Sequence, residues 1–196
     1  TFAHLPSIRV VSPSNAFDAK GMLIAAIRDD SPIVFMHHKG LQGMGWLGTE
    51  PRATVATPEE QYEVEIGKAK IVREGTDVMI VGLAMGVHNA IKAADELARL
   101  GITAEVLDLR SLVPLDRDTL IASVRKTGRL IVVNEDYRSF GVSGEIIASV
   151  VEENYGILRA APKRVAYPDV PIPFARPMEQ FCLPNPKKIV AAFESM

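Results

Sequence analysis

An α/β fold, a mostly parallel sheet with helices on both faces, is predicted by three features of the sequence. Short β-branched runs alternate with segments whose apolar residues recur at helical spacing. Glycine, proline and capping residues punctuate the connections. Of the 196 residues 47% are apolar and 23% charged, enough to bury a core. Strand and helix alternating in this way imply parallel strands joined by crossover helices.

The first unit reads strand, helix, strand. Ile8–Val11 is β-branched, Ser12-Pro13-Ser14-Asn15 supplies turn and N-cap chemistry, and Ala19, Met22, Leu23, Ala26 and Ile27 lie at helical spacing. Pro32 ends that helix, and Ile33–Met36 reads as a short buried strand. One such unit cannot cover both faces of its sheet, so it is expected to be the tail of a larger domain, completed upstream or by another chain. Residues 37–60, rich in glycine and proline, read as a linker.

A second unit starts at Tyr62. Glu63–Glu74 alternates around Gly67 and predicts a hairpin or edge ribbon. Asp77–Leu83 is an apolar strand, Val87–Ala98 a helix closed by Gly101, and Ile102–Leu109 the next strand. Asp116 caps a helix carrying Leu120, Ile121 and Val124, and Leu130–Val133 is another buried strand. Ser143 reads as the N-cap of a helix with Ile146, Ile147, Val150 and Val151. Arg164–Ala166 is a last short strand. The five prolines within 167–184 predict an extended strap, and Asn185-Pro186 opens a terminal helix.

Charge and cysteine content narrow the function. A net charge of −2 gives no reason to expect nucleic acid or an anionic membrane as partner, and no apolar run approaches bilayer length. Cys182 stands alone, so no disulfide framework or thiolate metal cage is expected, which fits a reducing compartment.

Individual motifs are read conservatively. Gly43-Met44-Gly45-Trp46-Leu47-Gly48 spells G-x-G-x-x-G, but no apolar-periodic helix follows to hold a pyrophosphate, so it reads as linker. His37 and His38 are neighbours near a strand end and point to opposite faces, which disfavours a shared metal; they, His4 and His88 are assigned to surface or packing. Asp108-Leu109-Arg110 and Glu135-Asp136 close consecutive strands and are expected at one sheet edge, as a salt-bridge network rather than a catalytic pair.

Together these segments resemble the beta subunits of thiamine-diphosphate-dependent 2-oxo acid and acetoin dehydrogenases. Ile8–Pro13, Phe17–Gly21 and Ala26–Asp29 are similar to the end of that family's pyrimidine-binding domain. Ile66–Ala69 and Arg73–Val78 look like the entry to its transketolase-type carboxy-terminal domain. Asp108–Asp116, Lys126–Leu130, Phe140-Gly141 with Gly144–Ile146, and Asp169–Pro173 resemble the same family. The resemblance implies residues 1–42 as the tail of a pyrimidine-binding domain, 43–61 as linker, and 62–196 as a transketolase carboxy-terminal-like domain.

The same resemblance implies a whole enzyme that decarboxylates a 2-oxo acid, or cleaves acetoin, and passes the acyl group to lipoamide. Thiamine diphosphate and magnesium would be held mainly outside this chain, and no catalytic or cofactor-binding residue is assigned within it. A structural potassium site is implied at Ala26, Ile27, Asp29 and Ser31, with Ser31 standing where asparagine is frequent. Implied partners are an alpha subunit in an α2β2 heterotetramer, a second beta subunit and a dihydrolipoyl acyltransferase core. The strap at 168–177 and the Asp108–Asp116 loop are the expected interface elements. The setting would be bacterial cytoplasm or mitochondrial matrix. The rivals are another transketolase-superfamily enzyme, such as a deoxyxylulose-phosphate synthase, and a non-catalytic docking module. A single polypeptide carrying both cofactor-binding domains would mark the first, and docking without an alpha subunit the second.

Overall fold

The computed structural model describes residues 1–43 and 50–196, the side chain of Asn154 aside. Met44 to Gly48 of the glycine-rich motif therefore lie outside the described residues. Among the described residues, eight strands form two sheets. The larger has the order β3-β5-β4-β7-β8, from β3 (Lys70–Arg73), β4 (Val78–Gly82), β5 (Ala104–Asp108), β7 (Leu130–Tyr137) and β8 (Lys163–Tyr167). β4, β5, β7 and β8 run parallel, and only the edge strand β3 is antiparallel.

Every residue of β4 is buried, the mark of a strand covered on both faces. Alternation sorts its side chains into two cores. Val78 and Ile80 pack with Ile131 and Val133 beneath α2 (Met85–Arg99) and α6 (Pro186–Glu194). Met79 and Val81 pack with Leu130 and Val132 against α3 (Arg117–Thr127) and α4 (Val142–Asn154). The helix ends follow the caps expected. The Asp116 carboxylate accepts from Thr119 N–H at 3.2 Å and Asn185 from Lys188 N–H at 3.0 Å, while Gly128 takes the left-handed cap position.

The smaller sheet has the order β2-β1-β6. β1 (Arg9–Val11) and β2 (Ile33–Phe35) are parallel, joined by α1 (Ala16–Arg28), whose N-cap Asn15 accepts from Asp18 N–H at 2.9 Å. Its third strand, β6 (Ser111–Val113), pairs antiparallel with β1 and comes from the far side of the chain, between β5 and α3. The core here is small: Val11, Met22 and Val64, with Phe17, Ile33, Phe35, Tyr62 and Ile66 partly buried around them. Ile27 on α1 is 76% exposed.

Three sequence expectations are corrected. Tyr62–Ile66 forms no hairpin with β3; it packs on α1, where Tyr62 stacks on Phe17 at 4.5 Å and donates to its carbonyl at 2.8 Å. The apolar alternation there serves a helix surface rather than a strand pair. The strap is not extended throughout, because Arg176–Cys182 forms the short helix α5 with Pro177 in its first turn, a place that needs no N–H. Ser143 is not the cap of α4. Gly141 is, because a Cβ there would stand 2.1 Å from the Tyr137 carbonyl, and Ser143 instead lies fully buried inside the first turn.

Candidate functional site

The sheet order places a topological switch at β4: the chain moves to one side for β5 and returns past β4 for β7 and β8. The carboxyl ends of strands flanking such a switch open a crevice where ligands gather. A cleft of about 830 Å3 lies there. Leu83 and Ala84 follow β4 on one wall, Asn134, Glu135 and Asp136 end β7, and Gly141, Val142, Gly144, Glu145 and Ile146 open α4; Met36, His37 and His38 of the first unit face them.

Asn134, Glu135 and Asp136 all line the cleft although successive strand residues should alternate. The pairing of β7 with β8 is irregular between Val133 and Tyr137, and that break in the ladder re-aims the side chains. The His38 ring nitrogen Nε2 lies 2.6 Å from the Glu135 carboxylate, joining the two units across the cleft. Asn134 is buried, and neither end of its amide has a hydrogen-bond partner among the described residues. Among the described residues, no side chain caps α4. Sequence reasoning assigned His38 to packing and Glu135 to a salt bridge. The partner Glu135 meets is His38 rather than the Asp108–Arg110 cluster, and 97 residues separate the two, so no local spacing announced the contact.

Behind the cleft, a buried polar network joins the units. Arg110 donates to both Asp18 oxygens, at 2.6 and 3.1 Å, Ser14 donates to Asp108, and His88 Nε2 lies 2.7 Å from the Ser14 carbonyl. Asp108 and Glu135 thus do not act at one open edge: Asp108 is fully buried while Glu135 faces the cleft. Burial pushes the Asp108 carboxyl up to about 6, against hydrogen bonds from Ser14 and the Arg110 N–H. Burial also pushes the His88 imidazole below its usual range, consistent with a packing role.

The expected potassium positions lie at the end of α1. Asp29 accepts from Ser31 N–H at 2.8 Å and pairs with Arg9 at 2.6 Å; the Ser31 backbone N–H, first, and Arg9 hold its carboxyl below the usual range. Among the described residues, no N–H beyond α1 bonds to the Ala26 or Ile27 carbonyls. Those oxygens suit a hard cation, whereas the Asp29 carboxylate is already engaged. No group of three or more His, Cys, Asp or Glu with metal-site geometry occurs among the described residues.

Comparison with known proteins sets this geometry in a family. The family described as transketolase, C-terminal domain, matches residues 67–189. The chain belongs to it. Among curated relatives of this transketolase C-terminal chain, the beta subunit of acetoin:2,6-dichlorophenolindophenol oxidoreductase of Cupriavidus necator is 42% identical over 97% of the chain and 54% of its own length. The pyruvate dehydrogenase E1 beta subunit of Bacillus subtilis is 46% identical over 96% and 55%. The mitochondrial beta-1 subunit of Arabidopsis thaliana is 46% identical over 97% and 51%. The chain thus spans about half the length of these relatives. A solved split-gene transketolase, described as an inactive beta4 tetramer, superposes with a TM-score of 0.78 at 27% identity, over 99% of this chain and 58% of the other.

Proposed function

We propose that this chain is the carboxy-terminal part of the beta subunit of a thiamine-diphosphate-dependent dehydrogenase component. The whole enzyme decarboxylates a 2-oxo acid or cleaves acetoin and transfers the acyl group to lipoamide. The observation that carries this reading is identity of 42 to 46% along nearly the entire chain to beta subunits of such oxidoreductases, against 27% to the split-gene transketolase. Residues 1–42 act as the tail of a pyrimidine-binding domain, and 62–196 as the assembly domain.

The cleft residues do not fit the cofactor's diphosphate. Among the described residues, Glu135, Asp136 and Glu145 line it against Arg117 alone of the lysines and arginines, and carboxylates repel phosphate. The diphosphate and its magnesium are accordingly assigned to an alpha subunit, and no step of the thiamine chemistry is derived from these residues. A structural potassium ion is assigned to the Ala26–Ser31 turn through carbonyl oxygens.

Assembly is assigned to the surface formed by the turn before α4, the strap and α5. Phe140 and Phe174 are fully exposed there, and Ile172, Met178 and Phe181 are mostly so, a density of apolar side chains that suits burial by a neighbour. A second beta subunit, the alpha subunit and the acyltransferase core are the partners this reading supplies, in bacterial cytoplasm or mitochondrial matrix. No helix among the described residues is long and apolar enough to cross a membrane.

The test is reconstitution. The complete beta subunit with its alpha partner should reduce dichlorophenolindophenol with pyruvate or acetoin only when thiamine diphosphate and magnesium are added, and the 196-residue chain alone should not. Turnover by the pure chain overturns the reading. Phe174→Asp in the complete subunit should shift the assembly to smaller species in sedimentation.

A further inference from the structure

We propose that Met178 is a reversible oxidation site, and that its sulfoxide holds a free beta subunit out of assembly. The proposal rests on the assembly role given above to the strap and α5, and it names a regulation of that surface.

Exposure separates the sulfur atoms of the chain. Met22 and Met79 are fully buried, and Cys182, at the end of α5, is 7% exposed. Met178 is 60% exposed, and among the described residues it is the only methionine lying mostly in solvent. Susceptibility to oxidation follows access, so a small peroxide reaches this thioether first.

That exposure is built into the helix. Lys188 Nζ, from α6, donates to the carbonyls of Phe181, Cys182 and Leu183, the last two at 3.0 and 2.8 Å. It also lies 5.6 Å from the centre of the Phe181 ring. These bonds satisfy carbonyls at the end of α5 that lack helical donors, and they fix the face α5 turns to solvent. Cys182 lies on the covered side; Met178 and Phe181, at i and i+3, lie on the outer one, with Phe174 just before the helix.

The chemistry is a two-electron oxygen transfer. A lone pair of the Met178 sulfur attacks one oxygen of hydrogen peroxide; an S–O bond forms and the O–O bond breaks. The proton on the transferred oxygen passes to the departing hydroxide, which leaves as water. Sulfur is oxidised and peroxide reduced. A thiol-dependent sulfoxide reductase reverses the change, returning thioether and water while two thiols become a disulfide.

The sulfoxide sets a strong hydrogen-bond acceptor among Phe140, Ile172, Phe174 and Phe181. A neighbour apolar enough to cover those side chains brings no donor, so burying the S–O group leaves it unpaired. Assembly in turn hides the sulfur from peroxide. Oxidation and assembly therefore exclude each other.

Two measurements test this. The first is peptide mass mapping of the 196-residue chain after graded hydrogen peroxide. Met178 should gain one oxygen at least about tenfold faster than Met22 and Met79, and the three rates should converge in guanidinium chloride. Equal rates in the folded chain overturn the proposal. The second is sedimentation of the complete beta subunit with its alpha partner. Prior peroxide treatment of the free beta subunit should weaken assembly about tenfold, and sulfoxide reductase should restore it. Met178→Leu, which keeps the bulk without the sulfur, should make assembly the same with and without peroxide. Assembly of the unsubstituted subunit untouched by peroxide, or a Met178→Leu subunit as sensitive as the original, overturns the proposal. Phe174→Asp tells the two readings apart. If it disrupts assembly and oxidation does not, the oxidation proposal alone falls; if neither does, the assembly role of the strap falls and takes this regulation with it.

Discussion

Arg110 spans the boundary between the two units to hold Asp18, with two hydrogen bonds of 2.6 and 3.1 Å and both side chains almost wholly buried. Removing one member strands the other's charge away from water, which costs more than the pair itself contributes. Arg110→Ala should therefore destabilise the chain by about 3–5 kcal/mol in urea denaturation. A loss under about 1 kcal/mol would show that water reaches Asp18.

Asp108, beside that pair, links stability to pH. Its carboxyl is raised from 3.8 to about 6, so the folded chain holds this proton more tightly than the unfolded chain. The penalty builds as pH rises from about 4 to about 6 and is constant above. Asp108→Asn should flatten that decline, as read from urea midpoints at pH 4, 5, 6 and 7; an unchanged slope refutes the assignment.

His88 acts with the opposite sign. Its imidazole is lowered from 6.5, chiefly by burial, so its contribution is complete above 6.5 and is lost as pH falls through the lowered value. His88→Gln, which keeps an N–H for the Ser14 carbonyl, should lessen the acid sensitivity just below pH 6.5. Equal acid sensitivity in both proteins would exclude His88 as its source.

Gly86 lets α2 close on the sheet: a Cβ there would lie 2.7 Å from the Val133 carbonyl. Gly86→Ala should cost about 1–3 kcal/mol by overpacking, although alanine favours helices elsewhere. A gain in melting temperature would mean that the helix shifts freely.

Ile80 and Ile27 separate the two kinds of apolar residue. Ile80 is fully buried, and Ile80→Ala should cost about 2–5 kcal/mol. Ile27, 76% exposed, is not part of that core, and Ile27→Ala should leave the chain's stability within about 0.5 kcal/mol. If both substitutions destabilise the isolated chain equally, Ile27 is covered from within.

The second unit was legible because its signals are local. The Val78–Gly82 run, the helical spacing through Val87 and Leu97, and the Asp116, Gly128 and Asn185 caps each act within a few residues. The candidate site was not, because its members meet only through topology. Glu135 was visible as a strand end, but nothing near it pointed to His38, and the irregular end of β7 that turns Asn134 into the cleft has no sequence signature here. Ser143 misled for a related reason: its residue type suits a cap, while the Tyr137 carbonyl leaves room at the cap position only for Gly141.

β6 makes the boundary between the units unlike a cut in the sequence. Ser111–Val113 is synthesised deep inside the second unit yet completes the sheet of the first. Severing the peptide between Thr54 and Gln61 would leave two fragments still interlocked by a lent strand, whereas expressing either half alone would deprive one sheet of an edge. Inheritance of the two units as independent cassettes is thereby discouraged, and they are expected to travel together wherever this architecture is reused.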